Sequence, residues 1–64
     1  MNKHEYNRTY RIEILTDVGV KLIFLTAARN MALAAQVADK YAAIAVLEED
    51  VNSARVVKIE EVRG

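Results

Sequence analysis

The sequence predicts an α+β fold of ββαβ layout. A three-stranded antiparallel sheet, in the order 2-1-3, carries one long helix packed on one face. Three observations predict it. Residues 5–16 and 20–25 alternate apolar and polar side chains with period 2 across a turn. Residues 26–47 are alanine-rich and contain neither Gly nor Pro, so nothing interrupts a helix there. Residues 55–62 return to period 2 and supply the closing strand.

Residues 1–4 are expected to fray. In the first strand Tyr6, Arg8, Tyr10, Ile12 and Ile14 share one face, while Asn7, Thr9, Arg11, Glu13 and Leu15 share the other. Asp17-Val18-Gly19 suits a three-residue hairpin loop, with Gly19 at positive φ. Placing Thr16 opposite Val20 sets Ile14 against Leu22, Ile12 against Phe24 and Tyr10 against Thr26, all on one face. Turn chemistry and hydrophobic pattern therefore select the same register.

Thr26 is the expected N-cap of the helix, with Asn30 the alternative if the helix starts later. Continuing past Leu47 would put Glu48 and Glu49 into the apolar arc, so the helix is expected to end there. A runner-up reading makes residues 43–47 a short strand, giving ββαββ. In the last strand Val57 and Ile59 are expected on one face and Val56, Lys58, Glu60 and Val62 on the other. The helix then covers Tyr10, Ile12, Ile14, Val20, Leu22, Phe24, Val57 and Ile59. On the back of the sheet Glu13 is expected near Lys58 and Arg11 near Glu60, as cross-strand pairs.

The helix carries more apolar surface than one sheet requires. Met31, Ala34, Ala35, Ala38, Ala42 and Ala45 form one stripe, and Leu33, Val37, Tyr41 and Ile44 form a second beside it. Together they span an arc of about 200°, where a docked surface helix uses about 100°. Large sheet residues against small helix residues fill space well. The stripe of Met31, Ala35, Ala38, Ala42 and Ala45 is thus expected on the chain's own sheet, leaving Leu33, Val37, Tyr41 and Ile44 toward a partner. Leu15, Ile23 and Leu25 interrupt the polarity of the opposite sheet face and are expected to join the partner surface.

A chain of 64 residues constitutes at most one small domain and lies near the size limit for folding alone. With no Cys, disulfides and thiolate metal sites are excluded, which leaves oligomerisation as the available staple. A hydrophobic content of 53% agrees, and a two-fold homodimer is the simplest form. Nine basic side chains balance nine acidic ones, so no net charge draws the chain to nucleic acid or anionic lipid. The N-terminal segment lacks an apolar signal core. The longest apolar run, residues 41–47, is far short of the ~20 residues of a membrane span. The expected protein is soluble and cytoplasmic.

Catalytic, cofactor and metal sites are not expected. His4 lies in the expected frayed end, and Ser53 has no histidine placed to activate it. Glu48-Glu49-Asp50 lacks the alternating spacing and turn glycine of a calcium loop. A base-stacking sheet built on Tyr6, Arg8, Tyr10 and Arg11 is the alternative, making the chain a binder of single-stranded nucleic acid. The assignment above places Tyr10 under the helix, which disfavours it. No family motif is present. In size and ββαβ layout the chain resembles small phage-encoded proteins that bind and inhibit host enzymes. That resemblance implies a non-catalytic protein-binding module, an inhibitor or regulator of a larger enzyme, whose protein partner the sequence does not name.

Overall fold

The computed structural model describes residues 8–63. Residues 1–4 with His4, and Tyr6 and Asn7 of the expected first strand, lie outside them. The chain forms β1 (Arg8–Thr16), β2 (Lys21–Ala28), α1 (Met31–Glu48) and β3 (Ala54–Val62). The sheet is antiparallel in the order β2-β1-β3, with the single helix on one face.

The hairpin has the expected register: Ile14 faces Leu22, Ile12 faces Phe24 and Tyr10 faces Thr26. Thr16 donates its N–H to the Val20 carbonyl at 2.9 Å, and its hydroxyl accepts the Val20 N–H at 3.0 Å. Gly19 closes the loop at φ 87°, a left-handed conformation that glycine adopts without penalty.

β2 runs three residues beyond the expected end, to Ala28, and so displaces the expected cap. β1 is long enough to pair with Thr26, Ala27 and Ala28, and ladder bonds hold Thr26 extended. Asn30 is the N-cap instead: its side-chain oxygen accepts the Leu33 N–H at 2.9 Å. Residues 43–47 are helical, which removes the ββαββ alternative. The helix ends in a Schellman arrangement, with Val51 N–H donating to Val46 C=O at 3.2 Å and Asp50 in the left-handed region at φ 53°.

The core is built of few and unequal parts. Tyr10, Ile12 and Ile14 are its largest fully buried side chains, and Ala34, Ala38, Ala42 and Ala45 are the buried residues of the helix. Large residues thus come from the sheet and small ones from the helix. Three expected members are exposed, Met31 at 46%, Val20 beside the turn at 41% and Val57 at 42%, and Ala35 of the expected stripe is only half-buried.

β3 departs from strict alternation. A bulge shifts the register, so Glu13 pairs with Lys58 while Ile14 pairs with Val56. Val56 joins Ile59 and Ala54 against the core, and Val57, expected inside, is 42% exposed. Side-chain chemistry explains the bulge. Alternation carried down from Ile59 would turn Arg55 inward along with Val57. The extra residue turns Arg55 out and brings Ala54 and Val56 in, avoiding a buried unpaired charge.

Candidate partner surface

The residues expected to meet a partner fall on two faces, with Leu33, Val37, Tyr41 and Ile44 on α1 and Leu15, Ile23 and Leu25 on the opposite side of the sheet. On the helix side, Tyr41 is half-buried and stacks on Phe24 of β2, ring centroids 4.7 Å apart and planes 5° from parallel. This stack fixes the rotation of the helix. Val37 and Ile44, one turn either side of Tyr41, incline toward β2, with Leu33 one turn further. Leu33 is 39% and Ile44 46% exposed, whereas Val37 is half-buried. Leu47, one turn beyond Ile44, is 81% exposed and was not among the expected residues. At about 100° per residue it lies opposite the buried alanine stripe and points away from the sheet.

The helix lies nearest β3 and meets β1 and β2 less closely. Apart from Ala28, no residue of β2 is buried; Leu22, Phe24 and Thr26 are only half-covered on the helix side. On the back of the sheet Ile23 and Leu25 are largely exposed, while Leu15 on the central strand is half-buried.

Charges occupy the middle of that back face. Glu13 is 8% exposed, hydrogen-bonded by Arg11 and paired with Lys21 at 3.4 Å. Burial raises its carboxyl pKa, but the hydrogen bonds and positive charges of Arg11 and Lys21 outweigh burial and hold it below the ordinary value. Arg11 also reaches Glu60 at 3.3 Å, the expected cross-strand pair. Lys58 faces Glu13 in register as expected, yet it pairs with Glu60 at 3.6 Å, and Lys21 takes its place at Glu13.

The residues of the nucleic-acid alternative are not displayed together. Tyr10 is 2% exposed and packs against Ala28, Ala34 and Ile59, so its ring offers no face to a base. Arg11 points to the opposite side of the sheet, and Arg8 pairs with Glu61 at 3.8 Å. Tyr6 lies outside the described residues.

An open depression of about 600 Å³ lies at the turn end, lined by Leu15, Thr16, Asp17, Gly19, Ser53, Ala54 and Arg55. Backbone groups there are already engaged, Asp17 N–H donating to Ser53 C=O at 3.0 Å. Among the described residues no group of three or more His, Asp or Glu is arranged to hold a metal ion, and no helix is long and apolar enough to cross a membrane. Comparison with protein-family models, with curated proteins and with solved structures finds no match.

Proposed function

We propose that the chain is a small, non-catalytic protein-binding module that self-associates as a homodimer. One observation supports this above the others. Ile23 and Leu25 are exposed by 43% and 63% on the edge strand β2, and the half-buried Phe24–Tyr41 stack lies on its other face. Scattered aliphatics are ordinary on protein surfaces, but a set converging on one edge marks an interaction site.

Sedimentation equilibrium at micromolar concentration tests the reading. A dimer is expected, and a folded species of 7.2 kDa alone would refute it. Binding of single-stranded DNA or RNA that weakens steeply with salt, and is lost in Arg8→Ala or Arg11→Ala, would overturn it in favour of the nucleic-acid alternative. Size and layout support a further role in the cytoplasm, as an inhibitor or regulator of a larger enzyme. The intact chain used as bait should then retain one enzyme from lysate and alter its rate, and Leu33→Glu or Leu25→Glu should abolish both effects.

A further inference from the structure

The two edges of the sheet are built differently. β3 carries Arg55, Lys58, Glu60 and Glu61 and a bulge at Val57, devices that keep a strand from pairing outward. β2 has none of them from Leu22 to Ala28 (no charge, proline or bulge), and among the described residues no strand pairs with its outer main chain. An unguarded edge demands a strand, because only another strand satisfies its row of N–H and C=O groups in order.

The phase of the ladder says which groups are free. Thr16 and Val20 form a hydrogen-bonded pair. Alternation then turns the N–H and C=O of Leu22, Phe24 and Thr26 toward β1, and those of Lys21, Ile23, Leu25 and Ala27 outward. These outward residues are spaced symmetrically about Phe24. Two antiparallel copies of β2 with Phe24 opposite Phe24 therefore match Ile23 to Leu25 and Lys21 to Ala27, every one a hydrogen-bonded pair.

We propose that a second copy of the chain docks on this edge, β2 against β2, centred on Phe24. The product is a continuous six-stranded antiparallel sheet, with its two-fold axis perpendicular to the sheet and both helices on one side. This rests on the self-association read above and names its geometry. Side chains on both faces agree with it. On the back, Ile23 at 43% and Leu25 at 63% exposure cover each other across the seam. On the helix side, the two Phe24 rings meet on the axis, each beneath its own Tyr41. Val37 and Ile44 incline toward the same seam. The helix, displaced toward β3, leaves room above β2 for the second copy. The guarded β3 edges stop the assembly at two chains.

Leu25→Lys separates this geometry from self-association as such. Leu25 is exposed in the single chain, so the variant should keep the wild-type circular-dichroism spectrum while sedimenting as a monomer. Leu33→Glu, farther from the seam, should remain dimeric. The register has its own test because the chain contains no cysteine. Ile23→Cys mixed with Leu25→Cys should cross-link on mild oxidation at least about tenfold more than either alone. The paired Cα atoms would lie about 5.5 Å apart, inside the disulfide range. A wild-type monomer would overturn both the pairing and the self-association. A wild-type dimer that survives Leu25→Lys and dissociates in Leu33→Glu would overturn the edge pairing and leave self-association standing. Equal cross-linking of the single-cysteine chains would overturn the Phe24-centred register.

Discussion

Replacing Ala38 by Leu tests the close approach of helix and sheet on which the fold depends. Ala38 is 0% exposed and packs in one cluster with Ile12 and Ile14, themselves 0% exposed. Leucine adds three heavy atoms at a contact that has no space for them. Either the helix rises or neighbouring side chains leave their preferred rotamers, at a cost of roughly 1–3 kcal/mol. For a domain of this size each kcal/mol moves the melting temperature by about 4–8 °C, so a fall of about 4–24 °C is expected. Urea unfolding at low micromolar concentration is the assay, with a reduced midpoint at unchanged m-value as the signature. Ala43→Leu, on the exposed side of the same helix, is the control and should stay within about 0.5 kcal/mol of wild type. Equal stability of Ala38→Leu and Ala43→Leu would refute the packing.

Three further outcomes follow from local structure. Asn30→Ala removes the acceptor of the Leu33 N–H and should cost about 1 kcal/mol by the same urea assay. Asp50→Gly should raise the midpoint by about 0.5–1 kcal/mol, since it relieves a left-handed backbone and removes a negative charge from the helix C-terminus. The Glu13 carboxyl titrates lower in the folded chain than the ordinary value of 4.5, so the unfolded chain binds more protons near that pH. Its contribution is complete above about 4.5 and fades as pH falls through the folded value, and Glu13→Gln should flatten this acid limb of stability against pH.

Much of the fold was legible because its signals are local. The hairpin register followed from Gly19 and the alternation of Tyr10, Ile12 and Ile14, which demand the same pairing. The alanine stripe was legible from spacing, though Met31 could not be told from Ala34 as its first member until the helix was rotated by the Tyr41–Phe24 stack. Where local rules competed, tertiary context decided. Thr26 is an acceptable cap, but the length of β1 kept it in the ladder and left Asn30 to cap. Val56 and Val57 are chemically equivalent, and only the outward placement of Arg55 selects between them. The candidate surface was legible in its residues and not in its arrangement. Leu33, Ile44, Ile23 and Leu25 are exposed as the pattern led one to expect, but how the helix pair lies over the sheet depends on where the helix sits.

The position of the helix is itself a consequence of alanine. Ala34, Ala38, Ala42 and Ala45 let the backbone settle close to Ile12, Ile14 and Ile59, and a helix seated that low cannot also span the full width of the sheet. Bulky residues in the stripe would lift it and spread its cover toward β2. Instead the largest contact with β2 is made by Tyr41, which ends on Phe24. The small-residue contact that packs closely on β1 therefore leaves β2 half-covered on the helix side and open on its back and along its edge. Among the described residues no further element closes it. A second copy brings a strand of the right length, register and hydrophobicity, and it supplies the apolar burial that so thin a core lacks. On this view the alanines of α1 and the bare edge of β2 are two ends of one design, and filling the stripe should weaken the fold and the dimer together.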